Sequence, residues 1–528
     1  MRYQSKCLAK YLGVIGLLIG IQAGVAAQTP IRSWNPLGFG AADSIPDLDG
    51  DGFRELVVGQ IAKFTPKNAG SVFALSSLTG QKLYSYSGSP GEYLGIPLIT
   101  VGDATGDGFP DIASGSIFTS TMALDGRNGS ALFQRGRAVT SIASLGDLNG
   151  DGLDDVLFAT GVASLGFGGS ASVYLGGSFE LAYEIRAPPP ASVFGESSTA
   201  MGDVDGDGVP DFAIGAPADY NFAPATGQVY VYSGKDGSLI WEHAGGYLWA
   251  FGRGLASPGD LNGDGINDLV VSEGGCCAYP SGPGRLYFFD GPTGAPIAML
   301  DPPPMHWAFG NQVVSAGDVD GNGFGDILVT IVDNATPRSE VWLIDGGTRE
   351  TIYDLPYRLG PLKGGGLDWD GDDFPDFLNS PYWLELWSGA PVGVRVLGQA
   401  CPLASDRPPR IGATGVAEIG EDYPIHLSRV RPNVAAFLAT GAAPVSRSFL
   451  PLVSGRGSAC PLLVASSAIY AARTREIRPG EGVATVEVPI SNDPSLQGTI
   501  FYAQWLVMDE ADESKVAAST RMLEIQIQ

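Results

Sequence analysis

The chain has 528 residues, rich in glycine (75) and proline (38), and carries 57 acidic against 31 basic residues for a formal charge of −26. That acidic excess excludes nucleic acid and anionic membrane surfaces as partners, and a hydrophobic content of 44 % excludes bulk disorder. The length leaves room for more than one domain, and the glycine and proline suit many short strands joined by tight turns.

Residues 1–27 read as an export signal. Arg2, Lys6 and Lys10 form a basic start, Tyr11 to Ala27 is uncharged and mostly apolar, and Val25-Ala26-Ala27 supplies small residues before a cut. An uncleaved anchor is the alternative, but the run is short for a membrane span. Cys7 precedes the apolar run and is not placed for lipid attachment. No later apolar run is long enough to span, so the mature chain is expected to carry no membrane span and to be secreted or held at the cell surface.

Residues 28–397 repeat. A nine-residue phrase, Asp-x-Asp/Asn-Gly-Asp-Gly-x-x-Asp with small variations, occurs seven times at steps of 56, 44, 56, 57, 58 and 50 residues. A period of this size marks a repeat architecture in which each unit buries its apolar face on its neighbours. Alternating carboxylates in a glycine-rich loop also form a cage of hard oxygens, and the expected occupant is calcium. Positions one, three, five and nine offer side-chain oxygen and position seven its backbone carbonyl. The candidate ligands are Asp47, Asp49, Asp51, Phe53 and Glu55 in loop one and Asp103, Thr105, Asp107, Phe109 and Asp111 in loop two. Loop three has Asp147, Asn149, Asp151, Leu153 and Asp155; loop four has Asp203, Asp205, Asp207, Val209 and Asp211. Loop five has Asp260, Asn262, Asp264, Ile266 and Asp268; loop six has Asp318, Asp320, Asn322, Phe324 and Asp326. Loop seven has Asp368, Asp370, Asp372, Phe374 and Asp376. Loops one, four and seven carry four acids each and are expected to bind tightest.

A solvated turn without metal is the alternative, since Asp and Gly favour turns for backbone reasons alone. Seven copies with an acid at position nine favour a cation, on the argument that a turn needs no carboxylate there. A helical EF-hand would require Glu at position twelve, where the first four copies have Val58, Ser114, Phe158 and Ile214.

Strand patterns surround each phrase. In the fourth unit Ser197–Gly202 enters the loop, Asp211–Pro217 leaves it, Gly227–Tyr232 alternates apolar and polar residues, and Ser238–His243 follows a Gly-Lys-Asp-Gly turn. The third strand returns as Ser71–Leu75, Ser172–Leu175, Arg285–Phe289 and Glu340–Ile344. Four short antiparallel strands per unit predict an all-β, seven-bladed β-propeller. Within it Cys276 and Cys277 are adjacent, too close for ordinary disulfide geometry, and read as a stiff loop or two thiols without chemistry.

Residues 398–528 lack the acidic phrase but keep strand-like alternation at Tyr423–Val430, Val434–Leu438, Pro461–Ser466, Gly482–Pro489, Gly498–Met508 and Met522–Gln528. They predict a C-terminal β-sandwich domain. Cys401 and Cys460, each in an Ala-Cys-Pro context, read as a disulfide in an exported protein.

The openings Phe194-Gly195, Phe251-Gly252 and Phe309-Gly310, the acidic loops and Gly215-Ala216-Pro217 resemble the FG-GAP repeat of integrin α-subunit propellers and of many exported bacterial proteins. Units two and seven depart from it with Leu94-Gly95 and Leu359-Gly360. The resemblance, over about residues 36–397, implies a seven-bladed propeller with calcium between first and second strands, and leaves the ligand open. Nearly every unit here bears the acidic loop, which is closer to the bacterial type.

These features point to an extracellular adhesion or ligand-binding scaffold with a protein or glycan partner and no catalysis. The alternative is the calcium-stabilised propeller of a polysaccharide-degrading or ester-cleaving enzyme. His243, His306 and His426 fall in different units without partner motifs, and no nucleophile elbow, zinc-protease helix or phosphate-binding loop is present. Trp249 and Trp307 could stack on sugars, although blade packing is the more ordinary use of such residues.

Overall fold

The structure is a computed structural model and describes residues 32–34, 40–61, 69–161, 168–189, 191, 193–217, 226–246, 250–274, 284–302, 306–333, 339–357, 362–367, 369, 374–379, 384–387, 394–397, 409–414, 417–449, 461–464, 468–478, 481–508 and 516–528. The export-signal stretch, the adjacent pair Cys276 and Cys277, the pair Cys401 and Cys460, and Trp249 lie outside the described residues. Among the described residues the chain is all-β apart from the short 3-10 turn Pro494–Leu496, and no helix is long and apolar enough to cross a membrane.

Blade one is an antiparallel meander of Ala42–Ile45, Glu55–Gln60, Ser71–Leu75 and Lys82–Ser87. The same order recurs in four further four-stranded sheets, at residues 98–135, 141–186, 197–244 and 251–300. The sixth sheet, at residues 306–357, adds a two-residue strand, His306–Trp307, beside Val313–Gly317 on the same partner. The seventh draws on both ends of the region. Leu362–Leu367, Asp376–Asn379 and Leu384–Trp387 are joined by Arg32–Trp34, which pairs along Leu384–Trp387. The N-terminal strand thus completes the last sheet. The repeat pattern could not show this, because the strand precedes the first phrase and belongs to no unit.

Burial follows from stacking sheet on sheet. The second strands are covered on both faces, so Asp211–Ala216 and Asp268–Glu273 are buried at every residue, whereas the outer strand Lys82–Ser87 is partly or fully exposed along its length. Between neighbouring blades lie apolar cores. Ile45, Val57 and Val72 meet Leu98, Ile112 and Met122 between blades one and two, and Val229, Val231 and Trp241 meet Phe251, Leu269 and Phe289 between blades four and five. Between blades seven and one, Trp369 and Leu378 meet Leu56 and Phe73, and the Trp369 indole N–H donates to the Arg54 carbonyl at 3.1 Å. The Phe-Gly openings serve these cores. Phe194, Phe251 and Phe309 are fully buried, and the following glycine lies against the preceding blade. A Cβ on Gly252, whose φ is +84°, would stand 2.4 Å from the Gln228 carbonyl.

The C-terminal region is two sheets face to face, with a separate antiparallel pair, Pro444–Phe449 and Pro461–Val464, beside them. One contains Val394–Leu397, Met522–Gln526, Ile500–Met508, Ala435–Gly441 and Ala468–Arg473, with Val516–Ser519 also on Ile500–Met508; the other contains Arg410–Ala413, Asp422–Val430, Glu481–Pro489 and Arg475–Arg478. Ile425, Leu427 and Val488 pack against Leu438, Trp505 and Leu523 in the shared core. All six expected strands are present. The boundary expected at 397/398 falls one strand late, because Val394–Leu397 pairs with Met522–Gln526. That strand follows the last repeat directly, before the composition changes.

Candidate metal centres

Each acidic loop joins the first and second strands of its blade, and its own side chains hold its shape. The first aspartate accepts N–H groups from both glycines. Asp47 takes Gly50 at 2.7 Å and Gly52 at 2.8 Å, Asp147 takes Gly150 at 2.7 Å and Gly152 at 2.8 Å, and Asp203 takes Gly206 at 2.8 Å and Gly208 at 2.9 Å. Position five accepts from position seven, as in Asp51 with Phe53 at 2.8 Å and Asp207 with Val209 at 2.9 Å. The turn therefore aims its carboxylates inward before any ion arrives. The donated N–H groups hold Asp147 below the usual carboxylate range, and Asp103 is lowered too because its four donors outweigh its burial.

The ninth acid has a second task that the sequence argument did not assign. Asp211 accepts Val204 N–H at 2.7 Å and Gly234 N–H at 2.9 Å, so it ties its loop to the turn after the third strand. Asp155 does the same with Leu148 at 2.9 Å and Gly176 at 2.7 Å, and Asp268 with Leu261 at 2.7 Å and Gly291 at 2.9 Å. An acid at position nine is thus required by the blade itself, which corrects the inference that only a cation calls for it. Burial pushes Asp268 up to about 7 and Asp111 up to about 6, against the opposing effect of their N–H donors.

Loop one departs from this scheme in an informative way. Glu55 is fully buried, its Oε2 accepts from Ser77 N–H at 2.9 Å, and Leu48 N–H also faces the carboxylate, while Oε1 is buried without completing a hydrogen bond of normal geometry. Asp51 Oδ2 is likewise buried and unpartnered. Both residues offer oxygens that lie within 4.8 Å of those of Asp47 and Asp49. Buried carboxylate oxygens without a donor are costly unless a cation meets them. The residues of loop one therefore fit a hard divalent ion.

The same spacing unites Asp203, Asp205 and Asp211 in loop four and Asp318, Asp320 and Asp326 in loop six. Among the described residues, loops two, three and five, with Thr105, Asn149 and Asn262 at position three, bring no three acids to it. Two cations escaped the sequence reading. Arg127 pairs with Asp107 in loop two at 2.6 Å, and Lys235 stands 3.6 Å from Asp207 in loop four. Both sit in the turn after the third strand, whose Asp-Gly or Gly-x-x-Gly signature is legible but whose reach to the loop is not. In loop seven, Asp368, Asp370 and Asp372 lie outside the described residues, while Asp376 accepts from Trp369 N–H at 2.6 Å.

Two histidines are committed to packing. His243 stacks on Phe289 at 4.7 Å between ring centres, with Nε2 2.9 Å from the Gly294 carbonyl. His426 is buried, and desolvation lowers it to about 4, so it is neutral. The side chains of His306 and Trp307 lie outside the described residues.

An FG-GAP repeat model matches residues 197–232, and an FG-GAP-like repeat model matches residues 146–214 and 260–329. The chain is 31 % identical over 266 residues to integrin alpha-IIb of Homo sapiens, covering 46 % of this chain and 24 % of the integrin. It is 31 % identical over 240 residues to integrin alpha-V of Gallus gallus, covering 40 % and 23 %. The matched stretch thus spans about a quarter of each integrin. A solved structure described as BBS1N in complex with ARL6DN, soaked with lead, aligns with 69 % of this chain and 94 % of its own at a TM-score of 0.42 and 12 % identity. The chain carries FG-GAP repeats within residues 146–329 and is integrin-α-like over the stretches these relatives match.

Proposed function

We propose that this protein is an extracellular, calcium-stiffened propeller that acts as an adhesion or ligand-binding scaffold without catalysis. The observation that carries the reading is loop one, where Asp51 and Glu55 each keep a buried, unpartnered oxygen and each bring one carboxylate oxygen to within 4.8 Å of those of Asp47 and Asp49. Likeness to integrin α chains supports an adhesive, non-enzymatic role and an extracellular or cell-surface location. Propellers present wide loop surfaces suited to protein or glycan partners. Calcium is favoured over magnesium because an irregular cage of carboxylates and carbonyls suits its larger, flexible shell.

A pull-down from extracellular material, run with calcium and with chelator, together with a glycan array, tests the reading. The expected outcome is a protein or glycan retained in calcium and released by chelator. Retention of nothing, or turnover of a polysaccharide or ester substrate by the purified chain, would count against it.

A further inference from the structure

The sixth loop does not face solvent as loops one, three and four do, and its approach to the C-terminal domain is closer than that of loop five, where a Cβ on Gly263 would lie 3.4 Å from the Ile477 carbonyl. In loops one, three and four, a Cβ on either glycine (Gly50 and Gly52, Gly150 and Gly152, Gly206 and Gly208) would meet nothing within 4 Å. In loop six, a Cβ on Gly321 would lie 2.9 Å from Gly412 Cα, and one on Gly323 would lie 2.3 Å from Ile477 Cδ1. Both neighbours belong to the C-terminal sandwich. A Cβ on Gly412 would stand 1.9 Å from the Asp320 carbonyl oxygen, so the two backbones touch.

The contacts across this joint are specific. The buried Arg410 guanidinium stands 3.3 Å from Asp318 Oδ2, donates to the Asp318 carbonyl, and donates to the Val319 carbonyl at 3.2 Å. Thr414 Oγ1 donates to Asp320 Oδ2 at 2.6 Å, the oxygen that also receives the Asn322 amide at 3.1 Å. Thr414 Oγ1 lies 2.6 Å from His426 Nε2, and His426 Nδ1 lies 2.9 Å from Thr485 Oγ1. With the His426 proton on Nε2, the chain of donors runs from Thr485 through His426 and Thr414 to Asp320 without a gap. Position five is Asn322 where the other described loops have aspartate, which removes one charge. Alongside, Arg410 lies over the Phe374 ring of loop seven at 5.8 Å, and Phe374 is buried in the sandwich core.

We infer that loop six is not a cation site but the clasp on which the C-terminal domain docks, with Arg410 supplying the positive charge and Thr414 and Asn322 the donors that an ion would otherwise replace. Its three acids are close enough for a metal. Asp320, however, already meets three donors, two on Oδ2 and the Asn322 backbone N–H on Oδ1 at 2.9 Å, and the Arg410 guanidinium beside Asp318 supplies the charge that an ion would bring. The inference is independent of any adhesive role.

The test uses the full chain. Calcium stoichiometry is measured by titration calorimetry for D320N and, as a control in an open loop, D205N. Docking is measured by small-angle scattering and by the rate of proteolysis in residues 398–408, for R410Q and G412A. The second variant keeps every charge and blocks only the close approach. The expected result is a count unchanged by D320N, and cleavage at least about tenfold faster in R410Q and G412A, with a larger radius of gyration and each domain still folded by circular dichroism. Loss of one calcium in D320N, or compact and protease-resistant R410Q and G412A proteins, would overturn it. Absence of calcium from every loop would sink the proposed scaffold reading instead, and the two docking variants would still decide the clasp.

Discussion

At the residue scale, one carboxylate serves two purposes that the sequence writes identically. Asp155 accepts two backbone N–H groups inside a buried sheet, so replacing it removes a structural tie whether or not metal is present. Asp155→Asn turns one acceptor into a donor that faces a donor. It should lower stability by about 1–3 kcal/mol in calcium and in chelator alike, read as a shift in thermal or denaturant midpoint. A shift seen only in calcium would return position nine to the metal alone. The raised acids also set a pH dependence. Asp268 stands at about 7 in the fold against an ordinary value of 3.8, so the folded state holds its proton where the unfolded chain has lost it. Its contribution to the metal-free fold is complete below that lower value and is lost as pH rises through 7. Calcium needs the ionised form. The calcium-induced rise in melting temperature should therefore be larger at pH 7.5 than at pH 5, and an equal rise at both would refute the competition between proton and ion.

At the scale of elements, the repeat is a device for burying second strands on both faces, and Phe-Gly is its joint. The aromatic enters the core between blades, and the glycine lets the next blade approach the backbone of the last. The weak point of a ring built from repeats is its seam. Here Arg32–Trp34 covers the edge of Leu384–Trp387, which would otherwise present unpaired backbone groups. Deleting residues 32–34 should raise amide exchange at 384–387 by orders of magnitude and promote self-association. Protection equal to that of the intact chain would show that the seam is held by the Trp369 core alone.

At the scale of the whole molecule, the acidity is local. Positions one, three, five and nine of the seven phrases hold 24 of the 57 acidic residues, so much of the −26 charge is concentrated in seven small loops. Bound cations would turn that repulsion into attraction. Each occupied site stabilises a fold that alone binds the ion, by about 2.7 kcal/mol at a hundredfold excess over its dissociation constant. Chelation should accordingly lower the melting temperature, and calcium should restore it more fully than magnesium. An unchanged melting temperature in chelator, with no calcium uptake by calorimetry, would mean that the loops are only turns.

The sequence by itself determined the repeat, the all-β class, the sandwich and the place of each acidic loop, because those depend on short-range patterns. Alternation, Asp-Gly turns and a nine-residue phrase are all written within one unit. It could not show that Arg32–Trp34 completes the seventh sheet, that Glu55 keeps an unpartnered oxygen, or that Arg410, 92 residues from Asp318, fills the sixth loop. These depend on which distant segments the closed ring and the docked sandwich bring within a few ångströms. Only the tertiary structure decides them, because the same short phrase recurs in every unit and what is packed against it comes from distant parts of the chain.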